Sequence, residues 1–258
     1  MLNFENEGTR ICRIADSKKY INKTISVYGD DDDGFKELTL PENDASHFQI
    51  VPTNKERTVQ FVCGSSGSGK SYFTAQYVKE YRKMFPERSV YLFSAMPKDD
   101  NFDKLGYVKR LKMDDTIVSD PFYVGDFEKS LVVFDDCDTL KKAMRDALYI
   151  LRDKILELGR HLAIDCVFLS HLCSGLELRR VLNESMIITM FPANFNRQYK
   201  YLLENYLGLE KKQILRVKKS RSRAVSFVRS FPNVVIEHKN IRVATTDLDW
   251  FFFVCKTI

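Results

Sequence analysis

This 258-residue sequence lacks the features that would assign it to a membrane, exported or repetitive class of protein. Its most apolar segment, residues 250–255, is far shorter than the roughly 20 residues that cross a bilayer. The first seven residues lack the basic and apolar regions of a secretory signal. Internal repeats, proline-rich linkers and low-complexity tracts are also absent. We therefore expect a soluble globular protein of one or two domains.

The six cysteines do not form a recognisable site. No Cys-x-x-Cys pair occurs, and no histidine lies at the spacing that a zinc site would need. We interpret the cysteines as small buried hydrophobic residues of a reduced, intracellular protein, in preference to metal ligands or disulfides. They are Cys12, Cys63, Cys137, Cys166, Cys173 and Cys255.

The composition is ordinary for a globular chain, with 44% hydrophobic and 29% charged residues, but the formal net charge is +5. This excess of positive charge suggests a polyanionic partner. A stretch without any acid lies between Glu210 and Glu237, and its cations could neutralise phosphates without reading sequence. A solvated helix end and hairpin surface is the alternative interpretation. The basic residues are Lys211, Lys212, Arg216, Lys218, Lys219, Arg221, Arg223 and Arg229.

From residue 58 onward, apolar runs alternate with segments of helical periodicity. This order is typical of an α/β fold in which crossover helices connect parallel strands. Continuous apolar runs such as 131–134 and 166–169 indicate strands that are covered on both faces. The predicted strands are 58–63, 89–94, 130–135, 162–169 and 185–191, and the predicted helices are 71–84, 139–158, 176–183 and 195–207.

The regions on either side of this pattern are β-prone. We divide the chain into a small N-terminal β extension, residues 1–56, and a main domain, residues 57–258, which ends in a basic segment from about residue 208. Two β-prone runs in the basic segment, 224–229 and 234–237, predict further strands.

The N-terminal extension contains two predicted strands, Ile11–Ile14 and Thr24–Tyr28. An acidic turn, Gly29–Gly34, follows them. The four adjacent carboxylates Asp30–Asp33 could be imagined as a cation site, but such a run between glycines is more typical of a solvated loop.

Eight consecutive residues match the full phosphate-binding loop pattern: Gly64, Ser65, Ser66, Gly67, Ser68, Gly69, Lys70 and Ser71. In this pattern, small residues let backbone N–H groups converge on phosphates, and the next helix adds its positive N-terminal end. Lys70 is expected to reach the β- and γ-phosphates, and Ser71 to ligate Mg²⁺. A flexible Gly/Ser linker is the alternative, but the β-prone run before the loop and the helical pattern after it favour a nucleoside triphosphate site.

A second candidate element is the apolar run 131–134, which is followed by Asp135 and Asp136. This is the form of a Walker B element, in which Asp135 would hold Mg²⁺, directly or through water, and Asp136 would polarise the attacking water. Taken alone the pair is a weak signal, because aspartate also opens turns and caps helices. Asp138, for example, is predicted to cap the helix at 139–158.

Two polar residues, Ser170 and His171, end the next predicted strand. Because the carboxyl ends of parallel strands face one crevice, either side chain could sense the γ-phosphate, with ordinary loop polarity as the alternative. Hydrolysis also needs positive charge beyond Lys70, commonly an arginine from a neighbouring subunit. Arg160, at the end of a long predicted helix, is the candidate. Its rivals, each of which could be an ordinary helix charge, are Arg152, Arg179 and Arg180.

Together, these motifs resemble the DNA-packaging ATPases of large DNA viruses and virophages, including the poxvirus type, within the FtsK–HerA class of P-loop motors. The resemblance covers roughly residues 57–240 and rests on the phosphate loop, 131–136, Gly159-Arg160-His161 and Leu169-Ser170-His171-Leu172. It implies an α/β P-loop NTPase fold of the RecA/FtsK–HerA type. It also implies that Arg160 acts in trans as an arginine finger and that His171 occupies the sensor position.

The resemblance further implies a homo-oligomeric ring, a hexamer or pentamer, with ATP and Mg²⁺ at its subunit interfaces. Double-stranded DNA would pass through the pore during genome loading into a capsid, so capsid proteins are further candidate partners. The expected location is the host cytoplasm or a viral factory, with association with the virion as a further option. No membrane partner is expected.

Two other functions are also compatible with the sequence. Nucleotide kinases and zeta-type toxin kinases share the phosphate loop and a similar length, although they usually need an arginine-rich lid that is not evident in this sequence. A nucleotide-gated assembly protein would bind ATP and hydrolyse it little. The pair Asp135 and Asp136 disfavours that option, because such a protein has no need of a water-orienting carboxylate.

Overall fold

The computed structural model describes residues 1–20, 23–29, 35–54, 57–244 and 255–257. Residues 30–34 of the predicted acidic turn lie outside these ranges. The helices are α1 (Lys70–Met84), α2 (Asp100–Asp103), α3 (Thr116–Ser119), α4 (Lys142–Leu158), α5 (Arg179–Glu184), α6 (Arg197–Asn205) and α7 (Lys211–Lys218). The strands are β1 (Leu2–Asn3), β2 (Thr9–Ala15), β3 (Thr24–Val27), β4 (Glu37–Thr39), β5 (His47–Ile50), β6 (Val59–Cys63), β7 (Ser89–Ser94), β8 (Val108–Arg110), β9 (Ser130–Asp135), β10 (Asp165–Ser170), β11 (Ile187–Met190), β12 (Val225–Val228), β13 (Asn233–Ile236), β14 (Asn240–Ala244) and β15 (Cys255–Thr257).

These strands form two sheets. The larger has 11 strands in the order β15-β4-β14-β13-β12-β11-β6-β10-β9-β7-β8, and the smaller has four in the order β1-β3-β2-β5. All neighbours from β11 to β8 in the larger sheet are parallel, so the carboxyl ends of six strands share one edge. The predicted α/β fold with a parallel sheet and crossover helices is confirmed.

The register brings the ends of the central strands to one level. Strand β10 lies between β6 and β9 and pairs Ser170 with Cys63 and Leu169 with Asp135. Strand β7 pairs Ser94 with Asp135 on the other side of β9. The residues that follow these strands therefore meet at a common edge, which we call the carboxyl edge.

Every residue of β6, β9, β10 and β11 is buried, because helices or a second sheet cover both faces. Successive side chains point to opposite faces and so enter two separate cores. Val62 packs in the core that contains Tyr77 of α1. Phe61 packs in the core that contains Leu148 of α4 and Leu202 of α6. Full burial of one such side chain stabilises the fold by about 1.5–3 kcal/mol.

The basic C-terminal segment extends the main sheet as antiparallel strands. Strand β12 pairs with β11, β13 with β12, and β14 with β13. Strand β4, from the N-terminal region, then pairs with β14. The region 1–56 thus contributes one strand to the main sheet, and its standing as a separate domain stays a prediction.

The smaller sheet covers α1. Ile25 and Phe48 of this sheet lie in the same apolar core as Tyr77. At the border, Arg13 forms an ion pair of 3.0 Å with the largely buried Glu80 of α1. The N-terminal strands therefore shield the helix that follows the phosphate loop.

Three details of the sequence prediction are corrected. Helix α4 begins at Lys142 with Lys141 at its N-cap and no capping side chain, so Asp138 is not its cap. The predicted strand 162–169 begins only at Asp165, because Ala163 has a left-handed φ of 51° in the turn before it. Helix α7 was not predicted; Glu210 and Gln213 start it with a reciprocal capping box.

The described residues also bear on the expected absence of a membrane span and on the expected burial of the cysteines. Among the described residues, no helix combines the length and apolar character needed to cross a membrane; residues 250–254 of the apolar tail lie outside the described ranges. Five cysteines are buried and free, as predicted: Cys12, Cys63, Cys137, Cys166 and Cys173.

Candidate nucleotide-binding site

The phosphate loop connects β6 to α1 at the carboxyl edge. The amide of Gly64 donates to the carbonyl of Ser170 over 3.2 Å, which fixes the start of the loop to β10. Gly67 and Gly69 have φ angles of 72° and 109°, a conformation that glycine adopts without strain. Gly69 is the N-cap of α1, and no side chain caps that helix. The first amides of α1 are therefore available to an anion.

Lys70 is the first residue of α1 and is buried. Its Nζ donates to the carbonyl oxygens of Gly64, over 3.0 Å, and Ser65, over 3.4 Å. It also lies 3.2 Å from Nδ1 of His171. The ammonium group is thus held inside the loop, among acceptors that the oxygens of a phosphate could replace.

The remaining loop residues differ in exposure. Ser66 and Gly67 are exposed, whereas Ser65 and Ser71 are half-buried. The amide of Ser68 donates to the carbonyl of Ser65 over 3.2 Å, and the buried hydroxyl of Ser68 has no hydrogen-bond partner in the part of the chain that the structure describes. An unpartnered buried hydroxyl is costly, so a polar ligand in the loop would stabilise it.

Asp135 ends β9 and is only 2% exposed. Its Oδ2 accepts a hydrogen bond of 2.9 Å from the Ser94 hydroxyl, but its Oδ1 is buried with no partner among the described residues. Burial, followed by the neighbouring charge of Asp136, raises the pKa of Asp135 to about 6. A cation bound at Oδ1 would offset the cost of burial and the repulsion by Asp136, and would so favour the ionised carboxylate.

Asp136 follows at a left-handed φ of 49°, which turns the chain sharply at the end of β9. Its Oδ2 lies 2.9 Å from Nε2 of His171, while its buried Oδ1 has no partner within the described ranges. Backbone strain of this kind is concentrated at functional sites.

His171 therefore bridges the lysine of the loop and the second aspartate. A lysine ammonium group can only donate, so Nδ1 of His171 must accept from Lys70. The proton of the neutral ring then lies on Nε2 and is donated to Asp136. The contact chain Lys70–His171–Asp136 connects a phosphate-binding cation to a candidate base.

Ser170, the other sensor candidate, has a local role. It is buried, and its hydroxyl accepts a hydrogen bond of 3.0 Å from the amide of Leu172. This bond shapes the turn after β10. The backbone carbonyl of Ser170 accepts from Gly64, whereas the side chain of His171 contacts the side chains of Lys70 and Asp136.

Arg160 does not lie with these residues. Helix α4 runs from the carboxyl edge to the opposite edge, where the exposed Arg160 makes no hydrogen bond or ion pair with any described residue. Arg57 holds this turn, because its guanidinium donates to the carbonyls of Ile155, Leu156 and Ile164 over 2.9, 3.0 and 3.2 Å.

Two of the rival arginines make contacts within the chain. Arg152 is buried, pairs with Asp153 at 2.8 Å and lies over the Tyr149 ring. Arg180 pairs with Glu157 at 3.1 Å. Arg179 is exposed, like Arg160. Arg160 and Arg179 are thus the exposed candidates without a contact of this kind among the described residues.

Two of the eight predicted phosphate-binding cations have structural roles. The guanidinium of Arg229 donates to four backbone carbonyls, among them those of Leu182 at 2.7 Å and Ser185 at 3.1 Å. Arg216 is half-buried and lies 3.9 Å from Glu37. The other six are exposed: Lys211, Lys212, Lys218, Lys219, Arg221 and Arg223.

Arg223 also lies at the carboxyl edge. The sequence alone assigns it only to the basic stretch. Its Nε donates to the carbonyl of Ser68 over 2.9 Å, 155 residues earlier in the chain. A Cβ built on Gly69 would come within 3.2 Å of the guanidinium. No local pattern signals this contact, because it depends on the pairing of β12 with β11.

The donor set fits Mg²⁺ bound together with a nucleotide. No group of three or more His, Cys, Asp or Glu side chains that could hold a metal by itself occurs in the described part of the chain. Mg²⁺ is commonly held by one or two protein oxygens plus substrate phosphates and water. The unpartnered oxygen of Asp135 and the hydroxyl of Ser71 are suited to such a site.

Comparison with known proteins identifies one relative by sequence. No protein-family model matches the chain. A Sputnik virophage protein, described as uncharacterized protein V3, is 35% identical over 235 residues, which cover 90% of this chain and 94% of the relative. Identity of this extent shows that the two chains belong to one family.

Solved structures identify the fold. The DNA-packaging ATPase B204 of Sulfolobus turreted icosahedral virus is 15% identical, with a TM-score of 0.51 over 71% of this chain and 98% of its own. The genome-packaging NTPase B204 of Sulfolobus turreted icosahedral virus 2, in complex with AMPPCP, is 14% identical, with a TM-score of 0.50 over the same shares of the two chains.

A cellular ATPase has the same fold. The cytoplasmic domain of the type VII secretion ATPase EccC from Thermomonospora curvata is 14% identical, with a TM-score of 0.52 over 83% of this chain and 29% of its own longer chain. The predicted resemblance is thereby confirmed. The chain belongs to the family of the Sputnik virophage protein V3 and has the P-loop ATPase fold of the viral genome-packaging ATPases.

Proposed function

We propose that this protein is an ATP-driven translocase that moves double-stranded DNA while a viral genome is packaged into a capsid. The observation that carries the proposal is the contact chain Lys70–His171–Asp136 beside the unpartnered oxygen of Asp135. The fold of the packaging ATPase B204 and the family of a virophage protein support the viral setting. The host cytoplasm or a viral factory is the corresponding place of action.

Substrate binding would use the loop from Gly64 to Ser71. Its backbone amides and the uncapped start of α1 would bind the phosphates, and Lys70 would turn from the carbonyls of Gly64 and Ser65 to the β- and γ-phosphate oxygens. Ser71 and Asp135 would hold Mg²⁺, which neutralises charge on those oxygens. Because Asp135 is buried, it holds its acceptor oxygen in a fixed position.

Hydrolysis would use Asp136 to orient and polarise water. His171 fixes this carboxylate by donating from Nε2, and its Nδ1 accepts from Lys70. When Lys70 moves to a phosphate, His171 loses that donor, so its contact with Asp136 can respond to the γ-phosphate. This is a physical basis for the predicted sensor role of His171.

In the described part of the chain, Lys70 is the cation held inside the loop, whereas Arg223 contacts a loop carbonyl from outside. Arg160 is exposed at the edge opposite to the loop, so it could act only on the nucleotide of a neighbouring subunit. In a ring with ATP at each interface, the opposite edge of one subunit would have to lie against the carboxyl edge of the next. We therefore propose Arg160 as the finger that acts in trans.

The DNA-binding surface would be formed by the exposed cations of the basic segment. Lys218, Lys219, Arg221 and Arg223 lie within six residues and include no acid. Contacts of such side chains to phosphates position a duplex without reading its sequence. This suits a motor that must move along any genome.

The test combines ATP hydrolysis, with and without duplex DNA, with the mass of the protein in solution. We expect an oligomer whose turnover rises with DNA and a Lys70→Ala variant without turnover. A monomer that transfers phosphate to a small acceptor would instead support a kinase. In a second arm, Arg160→Ala and Asp136→Ala subunits are each inactive but regain part of the turnover when mixed; no recovery would contradict action in trans.

A further inference from the structure

The basic segment and the phosphate loop are in direct contact. Arg223 donates from Nε to the carbonyl of Ser68 over 2.9 Å, and its guanidinium lies against Gly69. Lys70, the phosphate-binding cation, is the next residue of the loop. Arg223, a residue of the candidate DNA-binding surface, therefore contacts the loop at Ser68, two residues before Lys70.

The direction of this contact places Arg223 behind the loop. In a phosphate-binding loop, backbone N–H groups point inward to the ligand. Arg223 instead contacts a carbonyl oxygen, that of Ser68. It can therefore act on a nucleotide through the position of the loop backbone, which makes it a positioning residue.

Arg223 has donors beyond the Nε that binds Ser68. The side chain is exposed, and it forms no ion pair with any acid in the described ranges. A guanidinium carries five N–H donors in a planar fork, so one edge can bind a carbonyl while another binds a phosphate. The neighbouring cations Lys219 and Arg221 are exposed as well, so a polyanion on this segment would come close to Arg223.

We propose that Arg223 couples the basic segment to the phosphate loop, so that DNA on the segment changes the affinity of the loop for ATP. DNA phosphates compete with, or reorient, the guanidinium that holds Ser68, and the loop backbone shifts in response. This inference rests on the proposed function. It adds to that function the residue through which the two ligands affect each other.

The quantity that tests the inference is the coupling factor, which is the ratio of the dissociation constants of AMPPCP without and with saturating duplex DNA. By thermodynamic linkage, the nucleotide changes the affinity for DNA by the same factor. For the wild-type protein we expect at least a ~5-fold change, the lower end of typical couplings. The same factor should be measured from both sides, by titrating nucleotide and by titrating a fluorescent duplex.

Arg223→Gln is the test variant and Arg221→Gln the matched control. Each removes one exposed positive charge from the same segment, but only Arg223 contacts the loop. Both variants should bind DNA more weakly and lower the salt slope by about one. We expect the coupling factor to fall below ~2-fold in Arg223→Gln and to stay at the wild-type value in Arg221→Gln.

The outcomes separate this inference from the proposed function. A wild-type coupling factor in Arg223→Gln, or an equal loss in both variants, would overturn the role of Arg223. Wild-type protein that binds no duplex would overturn the DNA translocase together with the inference. Wild-type protein that binds duplex with a coupling factor of one would overturn the inference alone. An unchanged thermal unfolding midpoint in both variants would show that the exposed substitutions leave the fold intact.

Discussion

Asp135 and Asp165 are buried carboxylates on the neighbouring strands β9 and β10, at opposite edges of the parallel sheet. Burial is the main cause that raises the pKa of each to about 6. The two nevertheless differ in how their oxygens are paired. The comparison shows that a raised pKa alone does not distinguish a structural carboxylate from a site carboxylate.

Asp165 has partners at both oxygens. Its Oδ1 accepts from the amide of Thr58 over 2.6 Å, and its Oδ2 accepts from the Tyr81 hydroxyl over 3.0 Å and from Arg88 over 3.1 Å. Such a saturated network ties β10 to α1 and to the start of β7. Both oxygens are bound by groups of the fold, so Asp165 serves the fold.

Asp135 has a partner only at Oδ2, where Ser94 donates, and its buried Oδ1 has none. A neighbouring acid, Asp136, adds repulsion to the cost of burial. Folding therefore places a strained carboxylate at the carboxyl edge, where a cation can stabilise it. Between these two aspartates, the unpartnered oxygen, rather than the pKa, distinguishes the candidate site residue.

The largest effect should come from Asp135→Ala. Loss of the carboxylate removes a proposed Mg²⁺ ligand, which we expect to lower the rate of ATP hydrolysis by ~10³-fold, several kcal/mol of transition-state stabilisation. Stability of the Mg²⁺-free protein should not fall, because the substitution removes a buried carboxylate with an unpartnered oxygen, while only the Ser94 hydroxyl loses its acceptor. Phosphate release at saturating ATP, with a thermal melt of the same sample, checks both points. Near-normal turnover would remove Asp135 from the site.

The matched substitution Asp165→Ala should lower stability and leave turnover nearly unchanged. It leaves the Arg88 guanidinium, the Tyr81 hydroxyl and the Thr58 amide without their acceptor, so we expect the free energy of unfolding to fall by ~3–5 kcal/mol. Turnover per folded molecule should stay close to wild type. Urea unfolding and an activity assay normalised to folded protein measure the two quantities. An Asp165→Ala variant that is stable but inactive would show that Asp165 serves catalysis rather than the fold.

The pH dependence of the free energy of unfolding should show the cost of the ionised Asp135, through a comparison of the wild type with Asp135→Asn. The pKa of Asp135 is about 6 in the folded chain, above its ordinary value of 3.8, so folding favours the protonated form. At pH 8 the ionised carboxylate should therefore make the Mg²⁺-free wild type about 3 kcal/mol less stable than Asp135→Asn. This difference should shrink as the pH falls through 6 and vanish below pH 4.

Urea unfolding of the two proteins between pH 8 and pH 5, with and without Mg²⁺ and nucleotide, measures this difference. Bound Mg²⁺ should stabilise the wild type and leave the variant nearly unchanged. A difference that grows as the pH falls would contradict the assignment, because it would mean that folding favours the ionised form of Asp135.

The smallest effect should come from His171→Gln. Glutamine can donate to Asp136 and accept from Lys70, so we expect a loss of turnover of ~10-fold or less. His171→Leu removes both bonds, and a loss of ~100-fold follows if the contact chain fixes the catalytic carboxylate. Steady-state kinetics of both variants decide the matter. Equal losses would show that the imidazole is needed for another reason.

Local sequence patterns predicted the central fold well. The apolar runs at 58–63, 89–94 and 130–135 correspond closely to β6, β7 and β9, because strands covered on both faces need uninterrupted apolar residues. The phosphate loop was predictable because its glycines and Lys70 lie at a fixed spacing. Helix α7 was missed, because its basic residues hide a short apolar pattern of only two buried residues, Ile214 and Val217.

The roles of charged residues were less predictable. Nothing local distinguishes Arg229, which holds four backbone carbonyls, from Arg223, which contacts the phosphate loop. Asp138 was expected to cap α4, but the chain turns before that helix begins. The contributions of Lys70, Asp136, Arg160 and His171 to catalysis stay predictions that the variants above test.

The sequence by itself determined the order of the central strands and of the long helices between them, the phosphate loop and the acids at the end of β9, because each depends on the spacing of neighbouring residues. Only the tertiary structure decided that His171 bridges Lys70 and Asp136, that Asp135 keeps an unpartnered oxygen while Asp165 does not, and that Arg223 reaches the loop from the far end of the chain. The physical reason is that hydrogen bonds and burial depend on which strands lie side by side, and parallel pairing joins residues that are distant in sequence.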